Sequence, residues 1–138
     1  MAPQYGFLAA LLGMGAVTMM ALAILYPRTI KEYWLRSCMG RAWKRTFPRA
    51  SKADIREFLY LFVDAFAFPR RRALQFAPSD RVLSVYGALY PLKGSPDALE
   101  LETFALRLER RYSLDLRSMW RENLTLGEIF SNTNRPLA

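Results

Sequence analysis

Histidine is absent from all 138 residues, and cysteine occurs once, at Cys38. The first absence removes the commonest general base at neutral pH, the Ser-His relay and the commonest metal ligand. The second excludes an intrachain disulfide and a paired-cysteine metal site, which is consistent with a reducing compartment. A glycine-rich phosphate loop and an internal repeat are also missing. The acids Asp64, Asp80 and Asp97 are separated by long stretches, and no local pattern pairs any two of them. Capping and surface roles are expected for them, and the chain reads as a non-enzyme without a metal.

Charge, too, is missing from one long run. From Tyr5 to Tyr26, 22 residues pass without an ionisable Asp, Glu, Lys or Arg. As a helix this run would extend about 33 Å, enough to cross a hydrocarbon core. Tyrosines at both ends suit the interfacial belts, and Pro27 closes the run. Residues 5–26 are therefore expected to be a transmembrane helix, with Ala9 and Gly13 spaced for close packing on another helix. A cleaved signal peptide is the alternative, because Ala21-Leu22-Ala23 has the small-x-small pattern. Lys and Arg are absent from the first four residues, whereas Arg28, Lys31, Arg36, Arg41, Lys44 and Arg45 follow the run. Positive charge collects on the inner side, so the N-terminus is expected outside and the C-terminal domain in the cytoplasm.

The chain carries a net charge of +8. Residues 27–57 hold nine Lys or Arg against three acids, and residues 58–138 hold eleven against nine. The surplus thus lies beside the apolar run. Within it, Ile30, Tyr33, Trp34, Cys38 and Ala42 recur at helical spacing, roughly extended by Trp43 and Phe47, which predicts a helix over 28–47 ended by Pro48. Interleaved cations and tryptophans suit a helix at the headgroup level. On that reading Arg28, Lys31, Trp34, Arg36, Arg41, Trp43, Lys44 and Arg45 contact membrane lipid. A positive flank followed by a linker explains the same residues equally well. No base-reading motif accompanies the charge, so nucleic acid is not expected as a partner. Cys38 reads as a small filler on the apolar stripe, with S-acylation as the alternative. Residues 27–50 are taken as one basic juxtamembrane segment.

Beyond it, Ser51 is a candidate N-cap with Asp54 three residues on. Ile55, Phe58, Leu59, Phe62, Val63 and Phe66 then share one helical face, and Pro69 ends the element. Arg70, Arg71 and Arg72 read as a solvated loop. Residues 81–90 fit either a helix or a buried strand. Leu101, Phe104, Ala105, Leu108 and Tyr112 form the most regular helical stripe, with Asp97 as its expected N-cap. Met119 and Trp120 suggest a short turn or helix, Thr125 a cap for a last helix, and residues 132–138 a tail.

The stretch Asp97-Ala98-Leu99, then Leu108-Glu109 with Tyr112, Leu116 and Leu124-Thr125, resembles acyl carrier proteins, and most nearly the bacterial carrier-like families of unassigned function. In carriers an Asp-Ser-Leu triplet opens the second helix of a four-helix bundle and a Thr-capped helix closes it. The resemblance implies a small carrier-like helical bundle over residues 51–131, which with the transmembrane helix expected before it makes the chain all-α. It also exposes a departure: Ala98 stands where carriers have the serine that holds phosphopantetheine. A methyl group forms no phosphodiester, so this cofactor is not expected. Together these readings describe a membrane-anchored, non-catalytic interaction module for an unidentified protein partner at the cytoplasmic face. The alternatives are a small accessory subunit of an integral membrane complex and a carrier modified at another site.

Overall fold

The computed structural model describes residues 30–90 and 98–133. The expected transmembrane helix at 5–26, Arg28 and Asp97 lie outside them. Among the described residues no helix is long and apolar enough to cross a membrane.

The fold is all-α. Its elements in chain order are α1 (residues 30–34), α2 (Gly40–Thr46), α3 (Lys52–Ala65), a 3-10 helix (Arg70–Gln75), α4 (Val82–Leu89), α5 (Leu99–Tyr112), α6 (Leu116–Met119) and α7 (Leu126–Thr133). The only extended pairing among the described residues is a single antiparallel bridge between Arg81 and Thr125.

Helix α3 is the axis of the molecule and packs against both the 3-10 helix and α5. Its start is set by Ser51, whose hydroxyl accepts from the Asp54 amide at 3.0 Å, relieving one orphan donor of the first turn. Its apolar face is the one the spacing predicts: Ile55, Phe58, Leu59, Phe62 and Val63 are all buried. The helix ends where Ala67 enters the left-handed region at φ 56. The Phe68 amide then returns to the Val63 carbonyl at 2.8 Å. Across the core, Phe62 meets Phe76 and Phe104 edge-on at 5.1 and 5.3 Å, and Phe58 lies 5.3 Å from Phe130. Each such ring contributes roughly 1.5–3 kcal/mol by leaving water.

The ambiguous stretch after Asp80 is helical, with Val82, Val85 and Leu89 buried at helical spacing. Helix α7 opens with a reciprocal cap. The Thr125 hydroxyl accepts from the Glu128 amide at 3.2 Å, and the Glu128 carboxylate accepts from the Thr125 amide at 2.9 Å, the capping-box arrangement. The helix runs through Thr133, so residues 132 and 133 are not tail: Asn132 and Thr133 donate to the Glu128 and Phe130 carbonyls at 2.8 and 2.7 Å.

The largest difference from expectation is at residues 28–47. They do not form one continuous surface helix: the helical residues 30–34 and α2 are separated by a break at residues 35–39. The Met39 amide donates to the Leu74 carbonyl at 2.7 Å, a tertiary bond that replaces the helical one. Both pieces join the core, with Ile30, Tyr33 and Trp43 buried. The segment is thus continuous with the bundle, and the domain does not begin at Ser51.

Candidate interaction surfaces

The residues singled out for lipid contact part company in three dimensions. Trp43 is wholly buried and donates its indole N–H to the Phe76 carbonyl at 2.8 Å. Its ring packs edge-on against Phe130 at 5.6 Å. It is a core residue and has no surface to offer a membrane. Trp34 is half-buried, edge-on to Phe68 and Phe76, with the Arg72 guanidinium 5.2 Å over its ring.

Arg36 is also committed. Its Nη1 donates to both carboxylate oxygens of Asp80, at 2.8 and 2.7 Å. Asp80, 8% exposed, further accepts from the Ala77 amide at 2.7 Å. Through its own carbonyl it holds the Leu126 amide at 2.9 Å. Asp80 therefore ties three segments: the turn after α1, the loop before α4 and the start of α7. Burial of Tyr33, and after it the nearby Asp80 carboxylate, pushes the Tyr33 phenol above its ordinary value. Lys31, Arg41 and Arg45 remain on the outside, whereas Lys44 Nζ donates to the Pro48 and Ala50 carbonyls at 3.2 and 2.6 Å.

Cys38 is exposed, so it is no filler of an apolar stripe. It stands at a groove of about 310 Å³ between α2 and α3, with Leu74 of the 3-10 helix contributing to the lining. Four cations line that groove, Arg41 and Lys44 from α2 and Lys52 and Arg56 from α3.

A second basic surface lies between α3 and α5. Arg70 and Arg111 grip Asp64 and Glu57 respectively in two-point contacts, and Arg107 approaches Asp64 at 4.0 Å. The paired carboxylates hold both guanidinium groups above their ordinary pKa. The run at residues 70–72 is therefore structural in part: Arg72 donates to the Trp34 carbonyl at 3.2 Å.

The carrier-like motif lies at the start of α5. Ala98 is the N-cap residue and offers no side-chain cap; Leu99 is the first helical residue and 58% exposed. Leu99, Glu102 and Leu106 follow one another along a helical face, and Leu106 is 45% exposed. Beside them Leu101, Ala105, Leu116 and Trp120 line a shallow apolar groove of about 200 Å³ between α5 and α6, flanked by Glu102 and Arg117. No group of three acidic or cysteine side chains could hold a metal among the described residues.

Comparison with family models, curated proteins and solved structures returns no match to this chain.

Proposed function

We propose that the chain is a membrane-anchored, non-catalytic, acyl-carrier-like module that recruits or regulates a protein partner at the cytoplasmic face of the membrane. The observation that carries this reading is the surface where α5 meets α6. It combines exposed Trp120 with a shallow apolar groove and one charge of each sign at its rim, and through Glu102 it adjoins the face of α5 that carries exposed Leu99 and Leu106. Tryptophan is among the residues enriched where protein interfaces concentrate their binding energy. Ala98 at the opening of α5 supports a role without phosphopantetheine, since it has no hydroxyl to carry the group.

Purification of the full chain in a mild detergent, with intact-mass analysis of the bait, tests the reading. An unmodified bait that retains a stoichiometric soluble protein, lost on Leu99→Asp with Trp120→Ala, is the expected result. A phosphopantetheine increment on the bait would overturn it. Retention of a polytopic membrane protein that depends on residues 5–26 and ignores the α5 and α6 substitutions would favour an accessory subunit.

A further inference from the structure

The groove between α2 and α3 has a composition that the protein-docking reading does not use. Its walls carry two pairs of cations, Arg41 with Lys44 on α2 and Lys52 with Arg56 on α3, and among the described residues no carboxylate lines it. Each pair is spaced three or four residues apart, so each projects from one helical face. Lys44 is tethered by the two carbonyls of the following loop, which fixes one charge at the wall. The apolar lining is Ile55 and Leu74. Four like charges lining one groove repel one another, and an anion relieves that repulsion.

We infer that this groove binds the headgroup of an anionic phospholipid, with the apolar lining receiving the glycerol and first acyl carbons. Two further observations select a lipid over a free anion. The lining has an apolar portion that a bare phosphate would leave unfilled. Leu35, in the turn that leads to Cys38, is 83% exposed, an apolar side chain presented to the outside at the end of the molecule nearest in sequence to the uncharged run Tyr5–Tyr26. The inference draws on the proposed membrane anchoring but not on the protein partner, so either can fail alone.

Cys38, the single thiol of the chain and exposed at this groove, reports occupancy directly. The full chain in neutral detergent is alkylated with N-ethylmaleimide in the presence of phosphatidylglycerol, phosphatidylcholine or inorganic phosphate. Phosphatidylglycerol is expected to slow Cys38 alkylation about tenfold when present at roughly ten times its Kd, while phosphatidylcholine and inorganic phosphate leave the rate unchanged. Arg41→Glu with Arg56→Glu is expected to abolish the protection. Arg81→Glu with Arg110→Glu, equal in charge change but away from the groove, is expected to retain it. A Ser84→Cys thiol in a Cys38→Ser chain reports any general effect of the charged micelle and is expected to be unprotected. Equal rates in both lipids, or protection that survives the groove reversal, would overturn the inference. Protection by inorganic phosphate alone would reassign the groove to a free anion and overturn it as well.

Discussion

Two single residues carry stability that can be measured. Ala67 holds a left-handed backbone at φ 56 on the exposed turn after α3, a conformation that costs a residue with a Cβ about 1 kcal/mol and glycine almost nothing. Ala67→Gly is therefore expected to raise the thermal midpoint by a few degrees, read by circular dichroism of the full chain in detergent. An unchanged or lowered midpoint would show that the strain is relieved elsewhere. Asp80→Ala is expected to destabilise by about 2 kcal/mol. That is below the usual 3–5 kcal/mol for breaking a buried pair, because the Arg36 side chain is 30% exposed and recovers solvent. Denaturant melts of Asp80→Ala and Arg36→Ala, with the double variant, measure the coupling between them.

Residue-level chemistry was only partly legible in the chain. Ser51 and Thr125 announce themselves as caps because the cap bond is made within three residues. The Arg36–Asp80 pair was invisible, since its partners stand 44 residues apart. Nothing in the spacing of either residue indicates the other. Tryptophan among cations reads as an interfacial signature, yet Trp43 is interior. The local signal against a continuous surface helix was Ser37-Cys38 with Gly40 two residues on, none of them a strong helix former.

At the scale of elements, the start of α7 shows how closely two segments approach. The Gly127 amide donates to the Pro78 carbonyl at 2.8 Å, and a Cβ at Gly127 would lie 2.9 Å from that oxygen. Gly127→Ala must push α7 away from the loop before α4, and a loss of about 1–3 kcal/mol is expected from such overpacking. A neutral effect in thermal melts would mean that the loop yields freely. The capping box of the same helix has a pH signature. The Thr125 backbone amide, and secondarily Arg121, hold the Glu128 carboxyl below its ordinary value. A lowered folded-state pKa contributes stability that is present above the unfolded glutamate value of about 4.3 and is lost as pH falls through the folded value. The drop in thermal midpoint on acidification through that window is accordingly expected to be smaller for Glu128→Gln than for the parent chain.

The regular elements were readable because one periodicity served each of them. Every apolar position assigned to the inner face of α3 is buried, and the stripe of α5 places Phe104 and Leu108 in the core. For α4 the sequence Val82 to Tyr86 suits a strand by residue type, but no partner strand exists among the described residues, and the helix buries Val82, Val85 and Leu89 on one side. Tertiary context decided what propensity left open.

For the molecule as a whole, residues 30–50 contribute Ile30, Tyr33 and Trp43 to the core, which alters where the chain can be cut. Deletion of residues 1–29 spares Ile30, Tyr33 and Trp43 and is expected to leave a cooperatively folded domain. Deletion of residues 1–50 removes all three. Trp43 alone is worth roughly 3–5 kcal/mol, a large part of the 5–15 kcal/mol that stabilises an ordinary domain, so the shorter fragment is expected to lose cooperative unfolding. A fragment 51–138 as stable as fragment 30–138 would contradict the integrated core. At this scale the sequence exposed the uncharged run, the basic surplus and the helical class. The α2–α3 groove could not be seen there, because it requires α2 to fold back beside α3, a long-range outcome of the Met39–Leu74 bond and Trp43 burial.

The central claim, that the α5 and α6 surface docks a protein without a prosthetic group, is tested most directly by site-specific photocrosslinking in cells. A photoreactive phenylalanine analogue is placed at Trp120 or Glu102 on that surface, or at Arg81 or Ser84 on α4 and its approach. The account expects one protein adduct of defined mass from positions 120 and 102, on an otherwise unmodified chain, and none from positions 81 and 84. Adducts from all four positions alike, or none from 120 and 102, would contradict it.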